Sequence, residues 1–408
     1  MLGAFGANVC FAAWEVVPEL RLLANADDNP RLGTELQSPD LLEEEDTATS
    51  MQFDGRLSLA NFTERSELFV EPRYRTDSYR DAEDKELESD DLFLVSRALR
   101  RWRSTTAGLR SYVSRESILS SELLEAAPLD PDVEDPVPVE TGVLERPDEH
   151  RTRVLIAPYL ETRLSERTSL LLDARYQDVS YSGPPISGRS DFDESMFSAG
   201  IARSANERNR VEAQVTVSQF DAEQTRNETD TVGVEGTFRR TLSDTWTFAL
   251  STGVLRSEFR FLLDPTLGTF DEGVDTTATL GLGFRKRTEI ATLNLDARRL
   301  VTPNASGHLE ERDEFRIFLD RQLTPRVSGS FAVRYIDTSA LGNVSSFQRD
   351  YYRLGFDFEW AMTPQWSLGG GFDWTRQEWD DRDEEGTSNA LWFGMTYRGL
   401  SRRNPRNN

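Results

Sequence analysis

Residues 351–374 read YYRLGFDFEWAMTPQWSLGGGFDW, with Tyr352, Leu354, Phe356, Phe358 and Trp360 on alternate positions, then Trp366, Leu368, Phe372 and Trp374 in the same phase. A period of two belongs to a β-strand, because successive side chains point to opposite faces. The intervening residues, Arg353, Gly355, Asp357, Glu359 and then Ser367, Gly369, Gly371, Asp373, form a second face that expects water. The link Met362-Thr363-Pro364-Gln365 is short, so the segment reads as a hairpin.

The same grammar recurs. LSERTSLLL from 164, LSDTWTFAL from 242, LTPRVSGSF from 323 and MTPQWSLGG from 362 each put a tight turn before an outgoing strand, with NFTERSELF from 61 a looser member. Further short turns fit near 101–103, 206–209 and 285–288. These eight turns fall at roughly forty-residue intervals, which two strands of about ten residues and one longer loop require. The opposite strand ends carry longer acidic segments: NADDNPRLGTELQSPDLLEEEDT, SYRDAEDKELESDD, SGPPISGRSDFDE, LLDPTLGTFDEGVD and WDDRDEEGTS.

Short turns at one end and long loops at the other predict an all-β fold, a transmembrane antiparallel up-and-down barrel with the short side periplasmic. Two strands per turn, plus one at each chain end, give about eighteen strands; the alternative is about sixteen, if the segments near 14–24 and 92–99 are not strands. The predicted barrel covers 14–398, with 116–150 as a long extracellular loop and 399–408 as a tail.

Composition supports a membrane barrel over a soluble sandwich. A chain of 408 residues with 37% hydrophobic content and mean hydropathy −0.56 is thin for one large closed core. A barrel needs only an apolar band. No run of about 18 apolar residues occurs, which excludes helical spans. Residues 1–13 resemble the end of a secretory signal, with Phe11-Ala12-Ala13 before Trp14 but no basic start, so the natural start is expected upstream. Cys10 is the only cysteine, and Gly6-Ala7-Asn8-Val9 matches a lipoprotein signal poorly. An exported acidic chain, net charge −24, whose mature part lacks cysteine points to a bacterial outer membrane, with its lipid and lipopolysaccharide as partners.

Facing can be read strand by strand. Val211, Ala213, Val215 and Val217, or Leu391, Phe393, Met395 and Tyr397, are expected to face lipid. Trp246, Trp360, Trp366 and Trp374 are girdle candidates at the headgroup boundary. The pore-lining candidates are Arg73, Arg110, Asp173, Arg175, Glu235, Arg316, Arg334, Arg353 and Asp357. In the long loop, ESILSSELLEAAPLD suits a short amphipathic helix and PDVEDPVPVETG is stiff and acidic. Folded inward, it would set Glu122, Glu125, Asp130, Asp132, Glu134 and Asp135 against lumen arginines as a constriction.

The opening AAWEVVPELRLLANADDNPRL and the late RDYYRLGFDFEWAMTPQWSLGGGFDW resemble the β-barrel porins of Gram-negative bacteria that are associated with exopolysaccharide or exosortase loci. The resemblance implies an outer-membrane barrel and a link to polysaccharide; its motifs are structural and carry over no functional residue.

Candidate chemistry is sparse. Nucleophile-and-base catalysis usually recruits a histidine, and the chain has only His150 and His308, both expected in extracellular loops. The sharpest enzyme reading pairs His308 with Asp313; solvated loop histidines are the simpler one, and no catalytic residue is assigned. Arginine so dominates the cations that Lys85 and Lys286 are the only lysines. Guanidinium forks suit carboxylate or phosphate, and cross-strand ion pairing explains them equally well. The acidic runs 43–46 and 380–385 lack the spacing of a calcium loop. No phosphate loop, metal-ligand pair, cofactor motif or basic nucleic-acid patch is present. The expected function is a porin-like channel for passive passage of hydrophilic solute, linked through the resemblance to exopolysaccharide export. The alternative is a non-conducting scaffold or surface-polysaccharide binding barrel.

Overall fold

A computed structural model describes residues 14–30, 47–80, 88–118, 149–182, 189–264, 269–341, 349–379 and 384–400. Among these residues eighteen strands form: β1 (Trp14–Asp27), β2 (Ala48–Phe62), β3 (Ser66–Tyr79), β4 (Ser89–Arg101), β5 (Thr105–Ser117), β6 (His150–Arg163), β7 (Thr168–Tyr181), β8 (Phe192–Ser204), β9 (Asn209–Ala222), β10 (Asn227–Ser243), β11 (Trp246–Asp264), β12 (Thr269–Arg287), β13 (Ala291–Pro303), β14 (Leu309–Thr324), β15 (Val327–Ala340), β16 (Arg349–Ala361), β17 (Trp366–Trp379) and β18 (Glu384–Arg398). Each pairs antiparallel with its sequence neighbours, and β1 closes on β18 through Glu19↔Arg398 to Asp27↔Ala390. Both segments on which the count depended are strands, β1 and β4, so the barrel has eighteen. The signal-like residues 1–13 lie outside the described residues.

Strand length fits a bilayer. Thirteen residues at about 3.3 Å each, tilted by about 40°, rise roughly 33 Å, enough to cross an apolar band about 25 Å tall. The eight predicted turns all form, each two to four residues long and all at one end of the barrel. Their chemistry is local. The hydroxyls of Thr63, Thr288, Thr324 and Thr363 accept the amides of Ser66, Ala291, Val327 and Trp366 at 2.9–3.0 Å, and Asn206 Oδ1 accepts the Asn209 amide at 2.9 Å. A side-chain oxygen at the head of each of these turns captures a backbone donor that the ladder leaves open.

The alternation sorts the two faces as read from the sequence. Val211, Val215, Val217, Val234, Leu280, Phe356, Leu391 and Phe393 stand exposed on the outside. Trp246, Trp360, Trp366 and Trp374 share this outer phase, the Trp366 ring packing on Tyr397 with centroids 4.9 Å apart. Across the apolar band the closed sheet has no open edge, so its backbone groups pair there while the apolar outer face meets lipid. This is the architecture of an outer-membrane-type barrel.

The other end departs from expectation in two ways. The segments LLDPTLGTFDEGVD and WDDRDEEGTS, read as loops, are largely strand: β11 and β12 are 19 residues each, and β18 already begins at Glu384. Two connections there are also short, residues 223–226 and 304–308. Long in-register pairing between β11 and β12, from Trp246↔Lys286 past Phe259↔Gly273, carries their acidic ends into the ladder.

Candidate functional site

The wall opens at one seam. β12 pairs with β13 only from Arg287↔Thr292 to Leu280↔Arg299; beyond that, β12 stays with β11 and β13 with β14. The break falls at the level of an outward ion pair, Arg299 with Asp313, where Arg299 Nε donates to Asp313 Oδ1 at 2.7 Å. A charged outer pair marks the edge of the apolar band, so the unpaired edge of β12 lies at the membrane surface, where water can serve it.

Above the seam, the tip of the β13–β14 hairpin turns into the barrel. Glu311 lies in the outward phase of β14, yet its Oε1 accepts from Thr277 Oγ1 at 2.8 Å, and Thr277 faces inward from β12. The tip therefore lies inside the wall that β12 forms. It reaches several strands away: the Ser190 amide, just before β8, donates to Ala305 O at 2.8 Å, and Asn227 Nδ2, at the start of β10, donates to Gly307 O at 2.9 Å. Gly307 takes φ +75°, and a Cβ there would collide with Ser190 and Ala222, so glycine answers both a backbone and a steric demand. Leu309 and Leu341 join Val179, Phe192, Phe220 and Ala222 in one apolar cluster across the mouth. Each such side chain contributes about 1.5–3 kcal/mol on burial.

His308 belongs to this tip. Its ring meets Phe261 edge-on, with centroids 6.0 Å apart, and Nδ1 lies 3.3 Å from Asn227 Nδ2. Because that amide nitrogen also donates to Gly307 O, Nδ1 is the acceptor. Burial holds the imidazole below its usual pKa. Asp313 points outward to Arg299, so the His308–Asp313 pair does not assemble. His150 is the first residue of β6, paired with Ser117, and not a loop residue.

Below the tip, charge is unevenly shared. Glu314, 4% exposed, receives Arg298 at 2.8 Å and Arg334 at 2.9 Å, with Arg316 at 3.4 Å and Arg312 at 3.7 Å. Asp296 stands opposite Arg316 in register. Four guanidiniums thus converge on one buried carboxylate, with Glu310 beside Arg312 on the same inner face of β14. Of the sequence candidates, Arg316 and Arg334 meet in this cluster. Arg353 lies beside it, donating to Asp373, while Asp357 accepts from Ser330 at 3.1 Å. The others face the lumen from separate walls. Arg73 grips Asp54 at 2.9 and 2.7 Å, Arg110 stacks 5.2 Å from Tyr159, and Arg175 binds Gln177 near Glu194. Asp173 pairs with Ser198, and Glu235 accepts from Gln214 at 3.5 Å. Sequence reasoning did not single out Glu314, Arg298 or Arg312. Their inward phase was readable, but their convergence depends on the β13–β14–β15 register.

The constriction candidates Glu122, Glu125, Asp130, Asp132, Glu134 and Asp135 lie outside the described residues. The feet of that loop are described and buried: the Ile118 amide donates to Glu149 O at 3.1 Å, and Glu149 meets Arg189 at 2.7 Å.

These features define a class, the membrane-spanning barrel with a charged lumen and an infolded mouth. No protein-family model and no curated protein matches the chain. Among solved structures it is similar to Pseudomonas aeruginosa OccK2 (OpdF), at 10% identity and TM-score 0.44 over 96% of this chain and 98% of that one. It is also similar to P. aeruginosa OccK3 (OpdO), at 13% and 0.43 over 95% and 96%. The E. coli ferric-catecholate import receptor Fiu stands at 8% and 0.43 over 93% and 81%. The fold stands on the strand pairing itself.

Proposed function

We propose that the protein is a porin-like channel of the Gram-negative outer membrane, passing small hydrophilic solutes with a preference for anions. The short-turn end faces the periplasm, and the infolded tip faces outside. The observation that carries the reading is the contrast of faces: an apolar exterior around an inner wall where four arginines surround Glu314. A charged lining needs water, and a guanidinium surplus lowers the barrier for anions while raising it for cations. In a KCl gradient across a planar bilayer, the reversal potential should lie towards that of chloride, and Arg298→Gln with Arg334→Gln should move it towards potassium. A cation-preferring wild type would contradict the anion reading.

A second reading has its own support. Inner-face residues near the mouth, such as Asp91, Arg153, Gln177, Ile336 and Trp379, are buried on every wall they occupy, which suits a barrel that scaffolds surface polysaccharide without conducting. It predicts no steady current from correctly folded protein. The narrower proposal, passage of exopolysaccharide, rests on the sequence resemblance alone. Inactivating the gene should then trap polysaccharide in the periplasm, and unchanged surface polysaccharide would remove it.

A further inference from the structure

We propose that the outer face of the barrel, at its short-turn end, is a docking belt for anionic phospholipid, with the lipid phosphates seated among three arginines and a lysine. The inference goes beyond the channel reading and shares only its orientation, the short-turn end lying in the periplasmic leaflet. Along the arc from β8 to β14, each strand that runs down into a short turn carries one cation near its foot: Arg203 on β8, Arg240 on β10, Lys286 on β12 and Arg321 on β14. Register fixes their facing, because directly opposed residues share a face. Arg203 lies opposite Val211, Arg240 opposite Phe248, Lys286 opposite Trp246, and Arg321 opposite Ala291 in the phase of Phe315. All four therefore point outward. Strands two apart lie about 10 Å from each other, so neighbouring long side chains can close on one phosphate.

Their depth is that of the headgroups. The Lys286 ammonium stands 4.9 Å from the centroid of the girdle residue Trp246. Arg203, Arg240 and Arg321 are exposed, and apolar stems on the wall below carry such charges to the boundary. None of the four forms an ion pair among the described residues, and no strand of the arc carries a carboxylate in the outward phase at that level. Glu212 and Asp320 take the inward phase, opposite Ala202 and Ser330. The other rim differs. There the outward Arg256, Arg260, Arg299 and Arg376 are engaged by Glu258, Glu272, Asp313 and Glu385. Asp178, Asp193, Asp221 and Glu228 stand directly opposite one another across β7 to β10, a row that repels phosphate. Uncompensated guanidiniums suit a phosphate diester, which they grip through paired hydrogen bonds, and each such cation draws anionic lipid to the surface.

Binding is read without conduction, by native mass spectrometry of detergent-folded protein titrated with phosphatidylglycerol or phosphatidylcholine, with heat-modifiable gel mobility as the folding check. Wild type should retain phosphatidylglycerol at concentrations about tenfold below those that phosphatidylcholine requires. The decisive comparison uses sequence neighbours on opposite faces. Arg240→Gln with Lys286→Gln removes two outward cations, and Arg239→Gln with Arg285→Gln removes the same charge one residue away on the inward face. The outward pair should raise the half-filling concentration of phosphatidylglycerol by roughly tenfold, and the inward pair should leave it unchanged. Equal losses in both pairs, no loss in the outward pair, or equal retention of the two lipids by wild type would overturn the proposal. Tighter retention of lipopolysaccharide than of phosphatidylglycerol would overturn it as well. A barrel that keeps phosphatidylglycerol but passes no current would refute the channel reading and leave the belt standing.

Discussion

The two ends of the barrel are built on different principles. At the short-turn end, every strand pair closes within a few residues, and a threonine, serine or asparagine oxygen often supplies the missing acceptor; Thr363, for instance, caps Trp366. At the other end, the wall parts between β12 and β13, and the 304–308 tip is held by residues some 80 to 115 positions earlier, Ser190 and Asn227 among them. The first end is specified by its own sequence. The second is specified by tertiary contacts, so it is the end that can move, and a channel regulated from outside would place its moving part there.

The strongest test of the contrast lies where the wall meets the infolded tip. Glu314→Gln leaves four guanidiniums around a neutral amide, and breaking a buried ion cluster costs about 3–5 kcal/mol. Urea unfolding followed by gel mobility should show this loss, with Glu314→Asp intermediate. Full stability in Glu314→Gln would mean that the arginines are hydrated and the cluster is not structural.

Acid should act next, through His308 at the mouth. The folded tip keeps His308 neutral, with a pKa lowered by burial, so its contribution is complete above the ordinary imidazole pKa of about 6.5. It is lost as pH falls from there through the lowered value, because protonated Nδ1 would face the Asn227 amide donor. Conductance should therefore rise on acidification below about pH 6.5. His308→Phe, which keeps the packing on Phe261, should flatten the profile. An unchanged profile in that variant would move the pH response elsewhere.

The smallest effect belongs to the short-turn end. Thr363→Ala removes two local bonds, from the Gln365 and Trp366 amides, worth about 1–2 kcal/mol together, and should lower the unfolding midpoint slightly without altering conductance. Thr363→Ser should restore the midpoint. A conductance change in Thr363→Ala would show that the two ends are coupled.

Legibility in the sequence follows the same division. Alternation told which face Val211 or Arg353 takes, because side-chain phase is local, and the repeated turn segments gave five of the eight hairpins for the same reason. The strands at 14–27 and 89–101 carried weaker alternation, and pairing on both sides, of β1 with β2 and β18 and of β4 with β3 and β5, fixes them. The lengths of β11 and β12 were hidden because Asp271, Glu272 and Asp275 look like loop residues where a strand rises past the bilayer into water. The infolded tip was hidden more deeply. Nothing in NASGHLEERDE states that Glu311 will meet Thr277. Trp392 sat in plain alternation, but nothing local says that its indole will lie against Gly369 and Gly371 of β17.

The central claim is that this barrel conducts once its mouth is free, and single-channel recording with the tip shortened tests it most directly. Residues 304–308 would be replaced by two glycines, and the variant compared with wild type in planar bilayers after both pass the gel-mobility test for folding. The account predicts larger and more frequent conductance steps in the shortened variant, with an unchanged preference for anions. Steps equal to those of wild type, or no steps from either folded barrel, would contradict it.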